Sequence, residues 1–252
     1  VALVPLLALL AFSPPLAHPT AEPAGPYPDG QALIRAMHDR YQATWYRTLT
    51  FVQTTTLRRP TERQETWYEA ARIPGQLRID LVSPDSGNTY LFRSDSLYRY
   101  RQGTLAGSRA FVHPLMVLGF DVYADPPDET IKKLSGLGID LSRIRDDSWQ
   151  GRPVYVVGAP AGDSTTTQFW IDRERLLFVR MLETAPDGSG KIAETQFNRY
   201  EPLGGGWIAL EVVFNINGEL VTREAYADVK ADPVLPDQLF DPARYSKATW
   251  MR

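Results

Sequence analysis

The sequence predicts a mainly β (α+β) fold: about eleven antiparallel strands in one large curved sheet or barrel, with helices packed against its apolar face. Three observations lead there. Short β-branched and aromatic runs recur from residue 48 to residue 229, each closed by turn residues. Gln76-Leu77-Arg78-Ile79-Asp80-Leu81 alternates strictly, as a strand with one wet and one dry face must. Only two amphipathic helical regions are present, near residues 30–44 and 111–137, too few to fill a barrel-sized interior. An apolar cavity, partly lidded by the mid-chain insert, follows as an expectation.

The elements read in order as follows. Residues Val1 to Phe12 (VALVPLLALLAF) carry no charge, and Ser13-Pro14-Pro15-Leu16-Ala17 supplies small residues for cleavage. That run is too short to span a bilayer but suits the core of a signal peptide, predicted over residues 1–17. Seven prolines fall within the first 28 residues, so 18–28 reads as a Pro-rich linker. A single domain over 29–252 is expected to follow. Asp29 can cap a helix whose Leu33, Ile34, Met37 and Tyr41 share one face.

Strands are predicted at Thr48 to Leu57, Gln64 to Ala70, Gln76 to Leu81, Asn88 to Arg93 and Leu97 to Arg101. The pattern breaks at the apolar run Phe111 to Tyr123, and Pro126-Pro127-Asp128-Glu129 then opens a helix. Strands resume at Ile144 to Ser148 and Pro153 to Gly158, and Arg173-Glu174 turns a hairpin between Thr166 to Asp172 and Leu176 to Thr184. Ile192 to Tyr200, Trp207 to Ile216 and Glu219 to Val229 follow; Asn217-Gly218 is a strong hairpin signal between the last two.

Composition narrows the function. Lys and Arg number 27 against 30 Asp and Glu, a net charge of −3, which argues against nucleic acid as a partner. Cysteine is absent, which removes disulfides, thiol catalysis and Cys-zinc sites. The three histidines share no metal-ligand spacing, and no metal or cofactor is expected. No nucleophile elbow, P-loop, G-x-G-x-x-G or H-E-x-x-H occurs, so nothing argues for an enzyme. His113, in an apolar stretch, reads as a lid or core histidine rather than a general base. An outer-membrane barrel would need outward apolar bands, which Glu194-Gln196-Asn198 against Thr195-Phe197-Arg199 does not supply.

Several short motifs, in their order, resemble LolA-type lipoprotein carriers. They are Phe51-Val52-Gln53, the Arg72-Ile73-Pro74-Gly75 turn leading into Gln76–Asp80, Ser94-Asp95-Ser96-Leu97-Tyr98, Phe169-Trp170-Ile171-Asp172 and Leu239-Phe240-Asp241-Pro242. The resemblance spans residues 30–245 and implies an unclosed β-barrel with helices as a lid over an acyl-chain cavity. It implies a monomeric periplasmic carrier of lipoproteins or other lipids, served by an inner-membrane donor and an outer-membrane acceptor. A lipid- or lipoprotein-sensing regulator of the same fold is the alternative. By the same resemblance Arg72, with Arg78 as rival, would latch the lid through loop carbonyls. Candidate lid residues are Phe111, Leu115, Met116, Leu118 and Phe120; candidate wall residues are Phe51, Leu77, Ile79, Leu91, Leu210, Val212 and Phe214.

Overall fold

The computed structural model describes residues 26–83, 85–185 and 188–244. The predicted signal peptide and most of the linker lie outside the described residues. Thirteen strands form one antiparallel sheet: β1 (Thr48–Leu57), β2 (Arg63–Arg72), β3 (Gln76–Leu81), β4 (Thr89–Arg93), β5 (Ser96–Arg101), β6 (Thr104–Ala110), β7 (Ile144–Trp149), β8 (Arg152–Val157), β9 (Gln168–Asp172), β10 (Phe178–Thr184), β11 (Ile192–Leu203), β12 (Gly206–Ile216) and β13 (Glu219–Ala231). Three α-helices accompany them: α1 (Gly30–Tyr41), α2 (Pro114–Gly119) and α3 (Pro127–Gly136).

The strand order is β6-β5-β4-β3-β2-β1-β13-β12-β11-β10-β9-β8-β7. Two meanders are therefore joined by the pairing of β1 with β13, and the sheet stays open at β6 and β7. The helical insert links those two free edges in sequence. The twelve strand ranges named from the sequence, one more than the eleven or so counted, are all present; the thirteenth strand, which the pattern did not reveal, is β6. It is an edge strand exposed along most of its length, so its TLAGSRA sequence carries no apolar alternation.

Local chemistry explains the elements. The Asp29 carboxylate accepts from the Ala32 N–H at 2.8 Å, and Leu33, Ile34 and Met37 of α1 are wholly buried. Asn217 and Gly218 both take positive φ (50° and 79°), the geometry a tight hairpin between β12 and β13 requires. In the loop before β12, a side chain on Gly205 would sit 2.1 Å from the Thr44 carbonyl oxygen, and one on Gly206 would strike the Trp45 ring. These glycines let that loop close on the turn after α1, where Thr44 Oγ1 donates to the Gly205 carbonyl.

The inner face is only partly covered. Leu33, Met37, Leu118 and Tyr123 from the helical segments pack on Phe169, Phe178 and Phe197 from β9 to β11. Tyr123 is at the centre, its ring 3.9 Å from that of Trp45 and 5.3 Å from that of Tyr41. The helices thus fill the β8–β11 side of the sheet and leave a gap over β1, β2, β3, β13 and the far end of β12.

On the outer face, the chain after β13 crosses β2 to β5 as a strap. Leu235, Leu239 and Phe240 pack on Ala70, Leu91 and Tyr100. Side chains from the sheet fix its carbonyls: Arg93 Nη1 donates to Phe240 O at 3.0 Å, and the Tyr100 hydroxyl to Pro242 O at 2.7 Å.

Candidate functional site

The gap on the inner face is a pocket of about 660 Å³, the solvent of its open mouth included. Alternation along each strand decides what it sees. From β1 come Leu49 and Phe51; from β2, Glu69 and Ala71; from β3, Leu77 and Ile79; from β12, Val212 and Phe214; and from β13, Glu224 and Tyr226. Residues His113, Leu115, Met116 and Phe120, in and around α2, form the roof.

Eight of the twelve sequence-predicted lining residues meet here: Phe51, Leu77, Ile79, Leu115, Met116, Phe120, Val212 and Phe214. The other four are placed elsewhere. Phe111 packs at the roof's edge against Phe92, with ring centroids 5.9 Å apart. Leu118 is wholly buried beneath the helices, and Leu210 packs against the same main core. Leu91 is opposite Arg78 in the β3–β4 register, so it faces outward, under the strap.

Arg72 and Arg78 also face outward, since they alternate with the cavity residues Ala71, Leu77 and Ile79. Each does bond a carbonyl, but on the strap rather than on the helical insert. Arg72 Nη2 donates to Leu235 O at 2.9 Å, while Nη1 pairs with Asp237 at 2.8 Å. Arg78 Nη1 reaches Leu239 O at 3.3 Å. The sheet therefore separates both arginines from the pocket.

The pocket's walls are apolar except at one end, which sequence reasoning missed. Glu69 on β2 and Glu224 on β13 flank β1 and project into the pocket. Burial pushes the Glu69 carboxyl well above its ordinary range, and repulsion from Glu224 pushes it further. Glu224 is raised to about 7 by desolvation, against the opposing effect of hydrogen bonds from Tyr226 and Gln53. The Tyr226 hydroxyl donates to Glu224 Oε2 at 3.0 Å. Gln53, 1% exposed, donates through Nε2 to Thr55 Oγ1 at 2.7 Å and leaves its Oε1 without a partner. His113 brings a buried Nδ1 that is likewise unpartnered, and burial lowers its imidazole to about 4, keeping it neutral. The available signal was the strand parity: Glu69 shares its face with Ala71, and Glu224 with Tyr226.

No family model matches the sequence, and no curated protein matches it. Solved structures do match. A DUF1329 family protein from Desulfovibrio piger superposes with a TM-score of 0.57 at 16% identity, covering 86% of this chain and 98% of the other. A putative outer membrane lipoprotein-sorting protein domain from Vibrio parahaemolyticus gives 0.56 at 12% identity, covering 85% and 97%. A LolA superfamily protein from Nitrosomonas europaea gives 0.53 at 11% identity, covering 85% and 98%. The chain has a LolA-like fold. Among the described residues no helix is long and apolar enough to cross a membrane, and no cluster of three or more metal-ligating side chains occurs.

Proposed function

We propose that this protein is a periplasmic carrier that binds acyl chains of lipoproteins or other lipids in its inner-face pocket and moves them toward the outer membrane. The observation that carries this reading is the pocket itself: an unfilled apolar space between sheet and lid, in a fold that also occurs in a putative outer membrane lipoprotein-sorting protein domain. Each methylene transferred from water contributes about 0.8 kcal/mol, so a 16-carbon chain gains on the order of 12 kcal/mol before ordering costs. A carrier must also release its cargo, and a lid that prefers to close offsets part of that gain.

In this reading Leu115, Met116 and Phe120 are the moving roof, and Phe51, Leu77, Ile79, Val212 and Phe214 the fixed wall. Arg72 and Arg78 act as latches on the strap, holding the outer face of the strands whose inner face lines the pocket. The protein works as a monomer between an inner-membrane donor and an outer-membrane acceptor, and it is a carrier rather than an enzyme.

Native mass spectrometry of the protein purified from the periplasm without detergent tests the proposal. A reproducible added mass that extracts as phospholipid or acylated peptide is expected. A clean apo mass, with no uptake of a fluorescent fatty-acyl probe, would end the carrier reading.

A further inference from the structure

The polar end of the pocket has a specific chemical character. On its sheet side the groups left without a partner are oxygens. Glu69, 5% exposed, has no ion-pair partner among the described residues, and the Gln53 Oε1, buried behind the lining, is unbonded. Glu224 receives the Tyr226 hydroxyl at one oxygen and faces the same space. Among the described residues no Lys or Arg lines the pocket, whereas the equally buried Asp80 is paired with Arg78. Buried carboxyls without a cation are costly unless protonated or matched by an incoming charge. The walls beyond them are apolar: Phe51 stacks on Tyr226 with centroids 4.3 Å apart, and Val212 and Phe214 flank Glu224.

We infer that this pocket selects an amphiphile whose apolar chain ends in a protonated amine, with the ammonium seated between Glu69 and Glu224. An ammonium suits the site because it carries three donors and no acceptor, and because its charge replaces the proton the acids otherwise retain. A carboxylate or phosphate head would bring a negative charge to a described lining without Lys or Arg, and any ionisation of Glu69 or Glu224 would repel it. A hydroxyl head could satisfy one acceptor but brings no charge to replace the acids' proton. The inference rests on the acyl-chain reading above and adds the head group to it. The amine could belong to a lipid head group or to the free amino terminus of an acylated peptide; the chemistry at the site is the same.

The test is displacement of a fluorescent acyl probe at pH 8 by decylamine, decanol and decanoate, each below its micelle-forming concentration. Wild type, Glu69→Gln and Glu224→Gln are compared, with thermal unfolding to verify that each variant is folded. In the wild type decylamine should compete about tenfold better than decanol, with decanoate weakest. Both Gln variants should still bind decanol while losing the preference for the amine. Equal competition by all three in the wild type, a preference for decanoate, or an amine preference that survives both substitutions would overturn the inference and leave the acyl-chain reading standing. Failure of the probe itself to bind wild type would remove the acyl-chain reading, and this inference with it. A lysolipid with an ethanolamine head and an S-acylated peptide with a free amino terminus then separate the two sources. Competition by either one, lost in the Gln variants, supports the site, and competition by neither speaks against it.

Discussion

Arg78 and Asp80 form a two-point ion pair on the outer face of the sheet, with Nε and Nη2 at 2.9 and 3.0 Å from the carboxylate and each side chain 1% exposed. Asp80 also accepts from Thr89 Oγ1 at 2.6 Å, so its second oxygen is tied to β4. Removing one member of a buried pair strands the other. Arg78→Met should therefore cost about 3–5 kcal/mol. Replacing both residues with apolar ones of similar volume should cost much less. Urea midpoints of the single and double variants check this; equal losses in both would mean the strap contact, not the ion pair, carries the energy.

Arg72 is a different case. Its side chain is 29% exposed and its partner Asp237 is 92% exposed, so the pair is worth at most about 1 kcal/mol. The bond to the Leu235 carbonyl and the packing of the guanidinium over the Phe240 ring, 5.2 Å from its centroid, hold the strap more than they hold the fold. Arg72→Leu should leave the melting temperature nearly unchanged, raise amide exchange across residues 235–240 and slow cargo release without affecting uptake. Unchanged transfer kinetics in that variant would end the latch role.

Filling the pocket should weaken binding while sparing the fold. Ile79 lines the pocket from β3 and is only partly buried, so Ile79→Trp places a ring in the empty space with little overpacking of the core. Acyl-probe affinity should fall by about tenfold or more, with a thermal midpoint close to that of the wild type. Wild-type affinity in a folded Ile79→Trp protein would place the acyl chain elsewhere.

The acids of the pocket make stability depend on pH in a definite direction. Glu224 titrates at about 7 when folded and near its ordinary 4.5 when unfolded. The native state thus holds a proton that the unfolded chain has released, and this contribution, complete below 4.5, is lost as pH rises to about 7. Asp121, whose Oδ1 accepts from the Gly75 N–H at 3.0 Å, is raised to about 7 by burial and acts in the same sense. His113, lowered to about 4, acts oppositely by losing stability as pH falls through its unfolded value. Glu69, Tyr226 and Gln53 face Glu224 and change the size of its effect, not its sign. Relative to Glu224→Gln, the wild type should lose up to about 3 kcal/mol between pH 4.5 and 7. Parallel pH–stability curves for the two proteins would show that Glu224 does not retain its proton on folding.

The sequence by itself determined what depends on neighbours along the chain. The apolar stripe and Asp29 cap of α1, the strand runs and the Asn217-Gly218 hairpin follow from side-chain period and backbone preference, and each is present. In β3 alternation also separated the two faces, which is why Leu77 and Ile79 share one side while Arg78 and Asp80 share the other. It could not say which side is inner. That depends on where the helices settle and where the C-terminal strap crosses, and both are contacts between residues far apart in the chain. Leu91 looks the same in sequence on either face; its pairing opposite Arg78 puts it under the strap. Likewise only the pairing of β1 with β13 brings Glu224 to the same pocket as Glu69. Two acids that read as ordinary strand residues become a buried polar end because burial and pairing are properties of the assembled sheet, where desolvation sets their charge.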